Sequence, residues 1–304
     1  MIFQRLGVFP NTDSRRVHPT LNPKGRLQAD TVPPSWKPFV QLSRINMPSG
    51  AFLTFWPCAW GLLASAYRAE IPLLTTLYQL PAFFVGSVVL RSIACSWNYV
   101  CDKDFDVQVK RTEHRPLAAG RVSVKATLIF TIVQAATFVA IPVYPLFKRI
   151  MYWPQVWLRC YSTFLGKLLV TSFFYVDKQS VLKSLISWTI YYDTIYATID
   201  VKDDLRIGLK STAVLFGSWI RPILRLLCIG FIALLIATGI LNEQSFGYYG
   251  ISVLPTTLLL FWEIMTWDQS NPQSAFIRFD QNGRYVGIIV ACGLAIDYVL
   301  KLQT

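Results

Sequence analysis

Apolar runs of near-bilayer length recur along this 304-residue chain, and no other feature limits its fold so strongly. They lie at about 52–67, 73–97, 124–143, 153–175, 181–199, 220–241, 246–267 and 284–301. A helix needs about 20 mostly apolar residues to cross a membrane, so these read as about eight spans. Short polar links between them favour one domain, an all-α, multi-pass transmembrane helical bundle over residues 39–304. Charged residues make up only 15% of the chain, against about 25% in soluble domains. A soluble enzyme, a disordered chain and a secreted disulfide scaffold all fit poorly.

The net charge is +12, but Lys and Arg sit between apolar runs. That is the pattern of positive-inside loops. No basic stripe with interleaved aromatics occurs on a soluble segment, so nucleic acid is set aside as a partner and the lipid bilayer retained. The six cysteines include no C-x-x-C pair, which leaves neither a zinc site nor a disulfide framework. Residues 1–38 differ from the rest. Arg5, Arg15, Arg16, Lys24, Arg26 and Lys37 face only Asp13 and Asp30 there, among helix-breaking prolines. They read as a flexible polar N-terminal tail. The stretch is rich in Arg and poor in acids, as a transit peptide is, but lacks a clear amphipathic pattern.

The acids are unevenly placed. One window holds Asp102, Asp104, Asp106 and Glu113, and a second holds Asp193, Asp200, Asp203 and Asp204. Carboxylates at a membrane boundary are costly unless hydrated, paired or bound to a cation. Asn98, Asp102 and Asp106 recur every four residues, on one helical face, and Asp200 and Asp204 repeat the step. Two such faces opposed across a cavity offer the hard oxygen ligands that Mg2+ takes together with substrate phosphate. A solvated charge cluster is the plain alternative. Lys110, Arg111, Arg115, Lys202, Arg206 and Lys210 flank the windows, and Arg91 lies inside an apolar run. They read either as topology signals or as a diphosphate clamp, for which the planar guanidinium fork is suited.

RSIACSWNYVCDKDFDVQVKRTEHRPLAAG and YYDTIYATIDVKDDLRIGLKSTAVLFG resemble the two signatures of the UbiA family of intramembrane prenyltransferases. RINMPSGAFLTFWPCAWG, VYPLFKRIMYWPQ and FIRFDQNGRYVG resemble its first helix, a middle segment and its closing segment. The resemblance covers roughly 39–304. It implies a UbiA-like bundle, typically of about nine spans, around a cavity open to lipid. It implies Mg2+ held by Asn98, Asp102 and Asp106 on one side and Asp200 and Asp204 on the other. It also implies a prenyl diphosphate that ionises there, and an aromatic acceptor that attacks the carbocation. Arg44, Arg91, Lys148 and Lys210 would contact substrate or diphosphate, Asp193 would orient the acceptor or take its proton, and Asp102 and Asp200 would be essential. An apolar pocket suits this chemistry, since water would quench the cation.

Two departures stand out. Tyr99 occupies the place of an Asp that the family signature carries after its Asn, and Asn46 the place of an Asp in the first helix. The chain between the windows is also short. Both windows must face one cavity from the same side, so an even number of spans must separate them, four in the family. Only 71 residues lie between Arg121 and Asp193, too few for four spans of about 20 residues, and the apolar runs there number three. A lost exon, an inactive relative lacking one helix, or short and re-entrant segments would each account for this. Ser96-Trp97-Asn98 resembles fungal enzymes that prenylate polyketide-derived acceptors, often with farnesyl diphosphate, in meroterpenoid secondary metabolism. The alternative is a 4-hydroxybenzoate polyprenyltransferase of ubiquinone synthesis. The first suits the endoplasmic reticulum or another internal membrane, and the second the mitochondrial inner membrane. A non-catalytic membrane scaffold and, more weakly, a transporter complete the alternatives.

Overall fold

The computed structural model describes residues 35–109, 111–135 and 178–303, and among these it contains helices and no strands. The helices are α1 (Lys37–Ser43), α2 (Ser49–Ala69), α3 (Leu73–Cys101), α4 (Val124–Ala135), α5 (Lys178–Ala197), α6 (Val201–Ile207), α7 (Ile220–Leu241), α8 (Leu254–Thr266), α9 (Pro272–Gln281) and α10 (Gly287–Lys301). The all-α membrane bundle expected from the apolar runs is what forms. Four helical stretches among the described residues are long and apolar enough to cross a bilayer: Leu73–Cys101, Thr212–Leu241, Phe246–Thr266 and Pro272–Lys301. The apolar run at 153–175, the tail residues 1–34 and the second half of the run at 124–143 lie outside the described residues.

Lipid-facing and protein-facing sides separate cleanly on α8. Leu254, Leu258, Phe261 and Met265 are exposed at helical spacing, while Thr256, Leu260, Glu263 and Ile264 are buried on the other side. An apolar stripe turned outward is what a bilayer accepts. Helix α5 is different. Leu185, Trp188, Tyr191, Tyr192 and Ile195 are all buried, and it packs along α7 and α9. Its hydroxyls and indole find protein partners: Trp188 Nε1 donates to Asn282 Oδ1 at 2.8 Å, and Thr194 Oγ1 to Thr212 Oγ1 at 2.8 Å. A helix enclosed by protein need not be uniformly apolar, because its polar groups are satisfied by neighbours. Glu263 is fully buried and accepts from Asn282 Nδ2 at 2.7 Å, so that carboxyl is embedded in the same polar seam.

The last span begins earlier than the apolar run at 284–301 suggests. α9 starts at Pro272, and a π-helical turn, Asn282–Val286, joins it to α10. Helix α2 lies against this joint. Trp56 Nε1 donates to the Gly283 carbonyl at 2.7 Å and Trp60 Nε1 to the Gly287 carbonyl at 2.9 Å. At Gly287 the Trp56 ring comes so close that a Cβ would lie 1.9 Å from it, so only glycine admits the contact.

Candidate functional site

The four-residue rhythm of the first acidic window survives a break in the helix. α3 stops at Cys101, and a single turn, Lys103–Asp106, follows. Yet Asp102 N bonds to the Asn98 carbonyl and Asp106 N to the Asp102 carbonyl, both at 2.8 Å. Asn98, Asp102 and Asp106 are therefore stacked as the spacing predicts, and Asn98 Nδ2 donates to Asp102 Oδ2 at 2.7 Å. The second window repeats this after α5 ends, with Asp204 N bonded to the Asp200 carbonyl at 2.8 Å.

The two windows meet. Arg111 crosses from the first to the second, Nε to Asp200 Oδ1 at 2.6 Å and Nη2 to Asp200 Oδ2 at 2.5 Å. This is the planar fork that matches a carboxylate. Arg206, on α6, reaches back to the Gln108 carbonyl. Arg115 stays within the first window, its Nη1 donating to Asp106 Oδ1 and Oδ2 at 2.7 and 2.8 Å. Asp106 is buried, so this charge is matched where water cannot screen it.

Asn98, Asp102, Asp106, Asp200 and Asp204 all lie in the two windows that Arg111 joins. Among the described residues, no three His, Cys, Asp or Glu side chains converge in a way that could hold a metal ion. Arg111 and Arg115 supply the opposing charge to Asp200 and Asp106. The donor set still fits Mg2+, which is bound through one or two carboxylates plus water and phosphate oxygens.

The remaining expected residues distribute around this meeting point. Arg44 ends α1 in the left-handed region (φ 52°) and donates from Nε to the Tyr99 hydroxyl at 2.7 Å. Burial works against the charge of Arg44 and of Arg111. Their phenol, thiol and carboxylate neighbours outweigh it, and both stay above the ordinary arginine value. Arg91 lies seven residues before Asn98 on α3, about 10 Å deeper along the axis, with its guanidinium in the notch left by Gly50. A Cβ at Gly50 would stand 2.6 Å from Arg91 Nε. Asp193, seven residues before Asp200, is half-buried on α5, and Lys210 is half-buried in the loop beyond α6. Lys148 lies outside the described residues, as does Lys110.

Two neighbours belong to the segment FIRFDQNGRYVG that resembles the family's closing one, though neither was expected at the site. Phe279 of α9 packs against Tyr196 and Tyr192, with ring centroids 4.6 and 5.9 Å away, tilted toward the first and edge-on to the second. Asp280 beside it accepts from Ser49 Oγ and from Arg284 Nε at 3.0 Å. The amphipathic α9 brings both to the site; its 3.6-residue rhythm, which no apolar run marks, is the further signal that locates the helix.

The family model described as the UbiA prenyltransferase family matches residues 54–142 and 135–286. The chain is 36% identical to the UbiA prenyltransferase claS of Ampulloclitocybe clavipes, over 86% of this chain and 91% of that protein. It is 31% identical to the mitochondrial 4-hydroxybenzoate polyprenyltransferase of Schizosaccharomyces pombe, over 99% of this chain and 92% of that protein. In fold it resembles a UbiA homologue from Aeropyrum pernix, with a TM-score of 0.65 at 20% identity, covering 80% of this chain and 97% of the other. It also resembles one from Archaeoglobus fulgidus bound to GPP and Mg2+, with a TM-score of 0.51 at 16% identity, covering 88% and 100%.

Proposed function

The chain belongs to the UbiA prenyltransferase family, and from that premise we propose that it transfers a prenyl group from a prenyl diphosphate to an aromatic acceptor, with Mg2+ as its metal. One observation carries this reading: two Asp windows, 89 residues apart at the Arg111–Asp200 contact, abut at one end of an apolar bundle. Asn98, Asp102, Asp106, Asp200 and Asp204 would hold the metal, which when bound supplies Lewis acidity toward diphosphate oxygens. The naming of the A. fulgidus homologue as bound to GPP and Mg2+ supports that assignment.

The chain's own residues then divide the work. Arg44, Arg91 and Lys210, with Lys148 by resemblance, receive the diphosphate and the charge it gains as the allylic C–O bond breaks and the electron pair leaves with it. The surrounding helices keep water from the carbocation. A ring carbon of the acceptor forms the new C–C bond, and the ring proton passes to Asp193. Tyr196 and Phe279 offer aromatic faces near the windows, which attract cations.

For the substrates, the Ser96-Trp97-Asn98 segment supports farnesyl diphosphate and a polyketide-derived acceptor of meroterpenoid metabolism, in the endoplasmic reticulum or another internal membrane. The name of the S. pombe relative supports a second reading: 4-hydroxybenzoate, a polyprenyl donor and the mitochondrial inner membrane. Microsomes bearing the chain, with Mg2+, farnesyl or longer polyprenyl diphosphates, and either 4-hydroxybenzoate or a panel of polyketide-type phenols, separate the two. Product is expected in one donor–acceptor arm, and Asp102→Ala and Asp200→Ala should each abolish it. Full turnover by either variant refutes the metal assignment, and no product in any arm leaves the reading of a non-catalytic relative.

A further inference from the structure

Tyr99, which stands where the family signature carries an Asp, lies buried between two guanidinium groups. Its hydroxyl accepts from Arg44 Nε at 2.7 Å. The Cζ atoms of Arg44 and Arg115 lie 5.4 and 5.1 Å from its ring centroid. The arginines at this meeting point differ in what balances them. Arg115 is matched by Asp106 and Arg111 by Asp200, whereas among the described residues Arg44 makes no ion pair, and its only side-chain hydrogen bond is to a neutral phenol. Its backbone also adopts a left-handed conformation that is unfavourable for a non-glycine residue and persists where surroundings over-determine it. A guanidinium held in place by a phenol and a π face, without a carboxylate to cancel it, is a site lacking only an anion.

We propose that Tyr99 is a positioning residue that holds Arg44 as an uncancelled cation at the meeting of the two windows, where it receives an anionic phosphate group of the substrate. A carboxylate at this position would instead pair with Arg44 and compete with the anion. The phenol keeps the geometry and leaves the charge. This rests on the prenyl diphosphate reading above and adds to it the residue that sets the strength of the anion site.

The test uses the full chain in detergent or nanodiscs and two probes, inorganic pyrophosphate and farnesyl diphosphate. Binding is measured with and without Mg2+, and steady-state constants are measured in the best donor–acceptor arm. Y99D should weaken pyrophosphate binding and raise KM for the prenyl diphosphate by about tenfold, the size of one charge-assisted hydrogen bond. Its kcat should change by less than about threefold. Y99F, which keeps the ring but loses the acceptor, should fall between Y99D and the wild type. On an R44Q background the effect of Y99D should vanish, because the two residues act as one unit. Unchanged binding and KM in Y99D overturn the inference, as does an undiminished Y99D effect on the R44Q background. If Y99D is not recovered folded, Y99F decides alone: wild-type binding and KM in Y99F overturn the proposal. A wild-type chain that binds neither probe overturns the prenyl diphosphate reading together with this inference, whereas wild-type binding with an unaffected Y99D overturns this inference alone.

Discussion

Asp200 gives both carboxylate oxygens to Arg111, so a divalent ion approaching that carboxylate meets the positive charge of the guanidinium. Arg111→Ala should therefore strengthen the apparent affinity for Mg2+, by about tenfold if a charge-assisted pair is what competes, while lowering turnover because the contact that joins the two windows is lost. Titration of pyrophosphate binding against Mg2+ checks the first part, and weaker Mg2+ affinity in the variant would show that Arg111 assists the metal. The acidic residues of both windows were legible from spacing alone, because the i→i−4 backbone bonds at Asp102, Asp106 and Asp204 preserve that spacing even across the helix break. What Arg111 does was not legible. Sequence placed it in a flank where topology and chemistry leave the same mark, and only the fold shows that it reaches Asp200, 89 residues on. Tyr99 read as a missing carboxylate, since a sequence pattern reports what is absent and cannot report that a phenol holds two arginines.

At the scale of elements, the apolar runs located the spans well where a helix faces lipid and less well where it faces protein. The run at 220–241 matches α7 to the residue. The apolar runs missed α9, most of which lies in the segment resembling the family's closing one, because its residues alternate between core and polar surface, and α5 is apolar only in part because Asn282, Glu263 and Thr212 satisfy its polar side chains. The π-helical turn at Asn282–Val286 contains no proline to announce it. The other, at Tyr249–Val253, precedes Pro255, whose ring and missing N–H disturb the preceding turn. The Asn282–Val286 turn lets α2 dock two indoles on backbone carbonyls, and Gly287 makes the contact possible. Gly287→Ala should accordingly lower thermal stability in detergent by about 1–3 kcal/mol through overpacking against Trp56. Gly250→Ala, at which a Cβ meets open space, should be neutral or stabilising by up to about 1 kcal/mol. Equal melting temperatures for both variants would mean that Trp56 moves aside freely.

For the molecule as a whole, the contact between the windows settles which side each faces. α4 starts from the window-bearing end and α5 finishes at it, the arrangement the chemistry requires. Of the three apolar runs counted there from sequence, those at 124–143 and 181–199 overlap described helices, α4 and α5. The one at 153–175 falls outside the described residues. The chain as a whole is short in comparison with its alignment to a relative. The match to the S. pombe protein extends over 330 aligned positions, 26 more than this chain has residues, and the two family-model matches overlap at 135–142. Loss of one span of about 20 residues with its loop would put the windows on opposite sides. The sidedness of the windows is therefore the property most exposed to any such loss. Glu113 and Lys202 are exposed, one in each window region. Placed singly as Glu113→Cys and Lys202→Cys in a chain whose six native cysteines are replaced by serine, both should react with a membrane-impermeant maleimide from the same side of sealed microsomes. Reaction from opposite sides in a chain that transfers prenyl groups would separate the two windows, and with them Arg111 from Asp200. In a chain that transfers none, it would identify the shortened stretch as the cause, because the acids would then be held a bilayer apart.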